Sequence, residues 1–165
     1  MPSPVGHALG GAILGAALGT LDTRGIVVPV VAAMAPDLDF LWGRHSMETH
    51  SVGAAIIAGL VVFAWRRNAR LGVVTTLAVL SHVLFDWLGS DDTPPLGVMA
   101  LWPFSSNFYF ANAFIFEAIS RRYWLDNFFT HNAWAVTKEI LMLGPLVFIA
   151  FRWRARRRFR LRGTT

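Results

Sequence analysis

The chain has 165 residues, a length that suits one domain. Hydrophobic residues make up 55% of it and charged residues only 15%, against roughly 25% charged residues in soluble domains. This balance favours an integral membrane protein. Cysteine is absent, which excludes disulfides and thiolate metal sites and leaves only nitrogen and oxygen ligands for any metal.

Apolar stretches predict an all-α bundle of about four to five membrane-embedded helices. Gly11, Gly15 and Gly19 recur every four residues in the first stretch and predict a face that another helix can approach closely. The second stretch is short and contains Pro29, which indicates a broken or re-entrant helix. Either Thr49 or Ser51 could cap the third helix. The predicted stretches are Val5–Leu21, Ile26–Pro36, Ser51–Trp65, Leu71–Leu88 and Asn132–Trp153.

We expect one domain over residues 1–165, with a motif-bearing core at 1–105 and a last helix at 134–153. Between them, residues 106–133 are rich in aromatic rings with scattered charges, which suits the bilayer interface or packing against the bundle. His131 lies in this segment and is interpreted as an interfacial residue, not a metal ligand. The basic tail at 154–165 follows an apolar run. We therefore expect it to contact anionic lipid headgroups, and we do not expect nucleic acid as a partner.

A polar island, Pro36–Ser51, separates two apolar stretches. It places carboxylates and imidazoles within fourteen residues, and these are the ligands that Zn²⁺, Mn²⁺ and related hydrolytic ions use. Polar groups between membrane-like segments are costly unless they serve a function. The alternative interpretation is a solvated loop between two helices. The candidate residues of the island are Asp37, Asp39, His45, Glu48 and His50.

Two further histidines lie on predicted helices. His82 and Asp86 are four residues apart, so they lie one turn apart on one helix face and could bind a metal together. A local hydrogen bond, with the carboxylate outside the metal shell, is the alternative. His7 lies four residues before Gly11 and should point into the bundle with the glycine face.

Arginine distribution predicts the orientation. The positive-inside rule places Arg66–Arg70 and Arg152–Arg162 in the cytoplasm. Counting helices back from these segments brings all ligand-type residues to the outer membrane face. Such convergence favours a metal site over scattered structural roles. The expected ligands are His7, Asp37, Asp39, His45, His50, His82 and Asp86.

The ordered motifs resemble those of the LexA-regulated, membrane-bound metal-dependent hydrolase family (YdjM-like). They span residues 1 to about 105. The third block departs from the family's His-Arg-Gly, because His45 is followed by Ser46 and Met47; Arg44 could supply a phosphate-binding guanidinium from the neighbouring position. The motifs are Gly6-His7, Pro36-Asp-Leu-Asp39, His45-x-x-x-Thr49-His50-Ser51, Ser81-His82-x-x-x-Asp86 and Leu101-Trp-Pro-Phe-Ser105.

The resemblance implies an all-helical protein of the bacterial inner or plasma membrane and a metal-dependent hydrolase whose substrate is loosely defined. We expect one or two divalent ions, zinc first and manganese second. The expected reaction is hydrolysis of a phosphoester in a lipid or lipid-linked substrate at the outer face. Asp37, Asp39 and Glu48 are the candidate catalytic residues, as general base or bridging ligand. The alternative is a non-enzymatic membrane protein that binds or transports a divalent cation.

Overall fold

A computed structural model describes residues 1–42, 45–91 and 94–162. The regular structure within these residues is helical, as predicted, and no strand is formed there beyond two isolated bridges. Helix α1 packs on α2, α4 and α5, while α3 packs on α4. The elements are α1 (Pro4–Leu18), α2 (Arg24–Met34), a 3₁₀ helix (Ala35–Trp42), α3 (Val52–Arg66), α4 (Ala69–Leu88) and α5 (Phe128–Arg162).

The glycine face of α1 is the contact with α2, which confirms the close approach predicted from its spacing. A Cβ on Gly11 would lie 2.6 Å from the carbonyl oxygen of Pro29, and one on Gly15 would lie 2.6 Å from that of Gly25. Such distances are shorter than any ordinary contact, so only glycine lets the two backbones meet. His7 lies one turn before Gly11 and is also buried, with its ring stacked on that of His82 in α4.

Helix α2 is short, with eleven residues and Pro29 inside it, as its sequence predicted. The chain then tightens into the 3₁₀ helix Ala35–Trp42 instead of remaining an open loop. This 3₁₀ helix carries Asp37 and Asp39. It therefore delivers both carboxylates to the end of the bundle where α1 begins.

The start of α3 is fixed by its cap residue and by the carbonyls of Ala100 and Trp102. Ser51, one of the two predicted caps, accepts a hydrogen bond from the Ala54 amide at 3.0 Å. The amide of Val52 donates to the Ala100 carbonyl at 2.9 Å, and that of Gly53 donates to the Trp102 carbonyl at 3.0 Å. Three amides that a helix start leaves without partners are thus satisfied. The position of His50, two residues before α3, follows from this anchoring.

Helix α5 is longer than predicted, because it begins at Phe128 and continues through the basic tail to Arg162. The arginines of its last turns bind backbone carbonyls at the end of α1 and in the α1–α2 turn. Arg154 donates to Asp22 at 2.6 Å and Arg157 donates to Ala17 at 2.8 Å. Cations at a helix C-terminus also interact favourably with its dipole. Other arginines of this end, such as Arg156 and Arg160, are exposed, and their contact with anionic lipid stays a prediction.

Small side chains fill the interior and large apolar ones point outward. Ala16, Ala33, Ala55 and Ala78 are fully buried. The largest fully buried side chains are instead polar and include three histidines and Glu139. Helices in lipid pack through small and polar residues, because lipid tails are as apolar as leucine. Exposed large apolar residues include Leu60, Val61, Trp65, Val73, Leu141, Phe148 and Ile149.

Among the described residues, two helices are long and apolar enough to cross a membrane, Ala69–Leu88 and Phe128–Leu161. Helices α1 and α3 are apolar but have 15 residues each, about 22 Å at 1.5 Å per residue. A full crossing takes about 20 residues. The structure therefore supports two of the four to five predicted membrane helices by length, while α1, α2 and α3 are shorter than a full crossing.

Candidate metal centre

Four elements place their polar side chains at one end of the bundle: the start of α1, the 3₁₀ helix, the turn before α3 and the end of α4. The convergence expected from helix order is present in the structure. His7, His50, His82 and Asp86 are almost fully buried there. Asp37 keeps 20% of its side chain exposed and is the more open edge of the cluster.

His82 and Asp86 lie one turn apart on α4 with the geometry of a shared ligand pair. The Nδ1 of His82 lies 2.7 Å from the carbonyl oxygen of Ala33, to which an Nδ1–H donates. That bond fixes the tautomer and leaves Nε2 as the lone-pair nitrogen, an arrangement common for metal-binding histidines. Nε2 of His82 lies 3.0 Å from Oδ2 of Asp86.

The same Asp86 carboxylate is approached from two other elements. Nε2 of His7 lies 3.4 Å from its Oδ1, and Nε2 of His50 lies 3.5 Å from its Oδ2. Oδ1 of Asp37 completes the group, at 3.7 Å from Nε2 of His50 and 3.8 Å from Nε2 of His82. The His7 and His82 rings stack with centroids 3.7 Å apart. Three imidazoles and two carboxylates thus face one another at 3.0–3.8 Å.

Most facing atoms of this group have no hydrogen-bond partner among the described residues. Within the described residues, these buried atoms are both nitrogens of His7, Nε2 of His50, Nε2 of His82 and both oxygens of Asp86. A buried polar atom without a partner costs about 1–3 kcal/mol. Six such atoms in one place are consistent with a common ligand. Imidazole nitrogen and carboxylate oxygen are the donors that a divalent ion such as Zn²⁺ accepts, so the residues fit the metal implied by the resemblance.

Ligand-type atoms within reach of one another fall into three groups in the described part of the chain. The first is His7, His82 and Asp86; the second is Asp37, His50 and His82; the third is Asp39, His45 and His50. Because His50 and His82 each belong to two groups, the three form one continuous cluster. This arrangement could hold one ion or two.

Asp39 and His45 lie on the Nδ1 side of His50, away from its Nε2. Oδ2 of Asp39 lies 3.2 Å from Nδ1 of His50 and accepts a hydrogen bond from the Thr49 hydroxyl at 2.7 Å. Oδ1 of Asp39 lies 2.7 Å from Nδ1 of His45. A carboxylate on the far nitrogen of a histidine orients its ring for metal binding. Thr49, noted in the sequence as a possible helix cap and as part of the third family motif, is therefore a partner of the site.

The electrostatic environment favours a charged Asp39 carboxylate and a charged His50 imidazolium before any metal binds. Burial would raise the pKa of the Asp39 carboxyl, but hydrogen bonds from His50, His45 and Thr49 hold it well below its usual range. Burial would lower the pKa of His50, but the Asp37 and Asp39 carboxylates outweigh it and raise that pKa to about 9. A metal ion at Nε2 of His50 would take the place of that proton.

The remaining candidates lie outside these groups. Glu48 is in the turn before α3, where its carbonyl accepts a hydrogen bond from Ser51 at 2.6 Å. His131 is at the start of α5, with Nε2 2.8 Å from the Ala118 carbonyl oxygen. Arg44, considered above for phosphate binding, lies outside the described residues.

Residues 1–159 match the family model described as YdjM inner membrane protein. The chain belongs to the YdjM inner membrane protein family. The match covers all seven predicted ligand residues and continues through the aromatic segment into α5. No curated protein and no solved structure matches the chain.

A cavity of about 490 Å³ opens beside the centre of this YdjM family member. Its walls are mostly apolar and come from the start of the chain, from α2 and from the 3₁₀ helix. Asp37 and His45 belong both to this wall and to the metal-ligand groups. Its remaining side is Asp91 and residues 118–122, which include Arg121 and Arg122. Sequence reasoning missed this contribution, because charges scattered among aromatic rings gave no sign of which one faces the site.

Proposed function

We propose that this protein is a metal-dependent membrane hydrolase that cleaves a phosphoester of a lipid or lipid-linked substrate. The observation that carries the proposal is the set of buried, unpartnered donor atoms on His7, His50, His82 and Asp86 beside Asp37. Its position at the edge of an apolar cavity supports a substrate with a hydrocarbon part.

The residues divide into holding, orienting and proton-accepting roles. His7, His50, His82 and Asp86 would hold the ion, with Asp37 as the ligand nearest the cavity. Divalent zinc or manganese, when bound, activates water and polarises a phosphoryl oxygen. Asp37 is the first candidate to accept a proton from water, because 20% of its side chain is exposed, whereas the side chain of Asp86 is fully buried.

Two further residues complete these roles. Asp39, which is hydrogen-bonded to Thr49, would keep the His50 ring in place and set its basicity. Glu48 is the second candidate for the general base, from the turn before α3.

We place the centre at the outer membrane face and the basic end in the cytoplasm. In support, Arg70, Arg154, Arg157 and Arg158 all donate to carbonyls at the end of α1 or in the turn that follows it. His7 lies at the opposite end of the same helix. An arginine-rich end and a carboxylate-rich end at opposite sides of the bundle fit the positive-inside rule.

A cation-binding or transport protein is the second candidate, because the centre is so deeply buried. A transporter needs polar groups along its path through the membrane. The described hydroxyl side chains of α4 below His82 bond to their own helix: Thr75 donates to the Leu71 carbonyl at 2.8 Å, Thr76 to that of Gly72 at 3.3 Å and Ser81 to that of Ala78 at 2.7 Å. We therefore favour the hydrolase.

The test is turnover by protein purified in a maltoside detergent, with Zn²⁺, Mn²⁺ or Mg²⁺ added to metal-free samples. The substrates are phospholipids, lipid pyrophosphates and a soluble phosphodiester. We expect metal-dependent release of product from a lipid substrate, loss of it in Asp37→Asn, and its retention in Asp22→Asn at the opposite end of the bundle. Stoichiometric metal binding without turnover of any ester would favour the cation-binding alternative.

A further inference from the structure

We infer that Arg121 binds the phosphate of the substrate at the mouth of the apolar cavity, so that the substrate is an anionic lipid whose hydrocarbon chain occupies the cavity. This inference rests on the proposed function and adds the residue that selects a phosphate-bearing lipid. It concerns a part of the chain, residues 118–122, that lies outside the motifs of the metal centre.

Arg121 is stacked on an aromatic ring beside the centre. Its guanidinium lies over the Phe40 ring, 4.0 Å from the ring centroid. The same Phe40 ring stacks on His45 at 4.0 Å, and His45 contacts the edge of the His50 ring at 4.8 Å. A continuous row of rings thus leads from the arginine to a metal-binding histidine.

The guanidinium keeps its hydrogen-bonding capacity for a ligand. Among the described residues it forms no hydrogen bond and no ion pair. A guanidinium stacked on an aromatic ring uses its faces and leaves the N–H groups at its edge available. Those N–H groups match two oxygens of a phosphate in a bidentate pair. Arg121 lines the same cavity as Asp91 and as Asp37 and His45 of the ligand groups, so it lies beside the centre.

The cavity determines what carries the phosphate. Val31, Met34 and Leu38 line it together with Phe40. A free phosphate ion would gain nothing from such walls, whereas a hydrocarbon chain would be removed from water along them. Its volume of about 490 Å³ is within the range of small-molecule sites. An amphiphile would bind both features of the cavity: its phosphate would contact Arg121, and its hydrocarbon chain would lie between α2 and the 3₁₀ helix.

The test measures binding, so it does not depend on turnover. The probe is dodecylphosphonate, whose carbon–phosphorus bond is not an ester, and it is compared with dodecanol and with inorganic phosphate. Titrations use protein in a maltoside detergent, which carries no phosphate, with and without Zn²⁺. We expect dodecylphosphonate to bind more tightly than either comparison ligand, which separates a lipid phosphate from free phosphate.

Variants at Arg121 test the phosphate contact. Arg121→Gln should weaken dodecylphosphonate binding about 10- to 100-fold, the usual size of a charge-assisted hydrogen-bonded contact, and should leave dodecanol unchanged. Arg121→Lys should recover part of the loss, because it keeps the charge but not the planar fork. The matched control is Arg156→Gln, which removes the same charge from an exposed position at the other end of α5. Equal affinity in Arg121→Gln and wild type would overturn the inference.

Variants of α2 test the chain site. Val31→Trp should fill the cavity and weaken dodecylphosphonate, but not inorganic phosphate. Val27→Trp is its control, one helical turn earlier, with 50% exposure against 59% and outside the cavity lining. Equal effects of the two tryptophans would contradict the chain site. Tight, Arg121-dependent binding by a protein that hydrolyses no ester would refute the proposed hydrolase and leave the anionic-lipid site standing.

Discussion

Replacement of His82 by glutamine tests the metal centre at its most constrained ligand. His82 is fully buried, its Nδ1 is fixed on the Ala33 carbonyl, and its Nε2 faces Asp86 and Asp37. Glutamine is close in size and can still donate to the Ala33 carbonyl. The fold should therefore survive while one of three imidazoles is lost from the centre.

The expected loss of metal affinity is at least 100-fold. Changes to groups that only support a ligand cost about 10- to 100-fold, and removal of the ligand itself should exceed them. A 100-fold loss corresponds to about 2.8 kcal/mol of binding free energy. The assay is competition between protein and a chelator of known affinity, with bound metal measured by elemental analysis after gel filtration.

His131→Gln is the matched control, because it removes an imidazole outside the three ligand groups. It should bind metal as the wild type does. Circular dichroism should show equal helix content in both variants. A folded His82→Gln protein with wild-type metal affinity would refute the assignment of His82 as a ligand and, with it, the interpretation of the unpartnered nitrogens.

Three further predictions concern the support of the centre, the packing of α1 and the orientation of the chain. Asp39→Asn should lower metal affinity by about 10- to 100-fold, less than loss of a ligand, when measured by the same chelator competition; a larger loss would make Asp39 a ligand. Gly11→Ala should lower the free energy of unfolding by about 1–3 kcal/mol because its Cβ meets the α2 backbone, whereas Gly144→Ala, which meets nothing within 4 Å, should be neutral or stabilising in the same denaturation assay. In intact cells a membrane-impermeant thiol reagent should label Asp126→Cys and not Ala69→Cys, and the reverse pattern would overturn the proposed topology.

Much of the candidate site could be predicted because its ligand-type residues follow helix periodicity. The four-residue spacing of His82 and Asp86 places them on one face, and the glycine face of α1 predicted that His7 points inward. The order of the helices brought these residues and the polar island to one end. The structure confirms the all-helical fold and this convergence.

Backbone contacts and long-range packing were not predictable in this way. The Ala33 carbonyl that fixes His82 could not be foreseen, because every residue carries a carbonyl and only the tertiary fold selects one. For the same reason, the sequence could not predict that tail arginines donate to carbonyls at the end of α1 and in the turn that follows it. A sequence rich in arginine predicts a positive surface, and it does not specify which carbonyls are near.

Glu139 shows a further limit. It is a lone carboxylate in an apolar helix, and its sequence context predicts no role for it. In the structure it is fully buried and accepts hydrogen bonds from the Ser3 amide at 2.7 Å and from the Ser3 hydroxyl. The contact joins α5 to the start of α1, one turn before His7. Its partner is 136 residues away in the chain, so no local pattern could reveal it.

X-ray absorption at the zinc edge of the purified, zinc-loaded protein tests the central claim most directly. The account predicts one set of light-atom ligands at about 2.0–2.1 Å, with the multiple scattering of three imidazole rings and no sulfur. Spectra that fit a shell of oxygen alone, without imidazole scattering, would contradict a centre built from His7, His50 and His82.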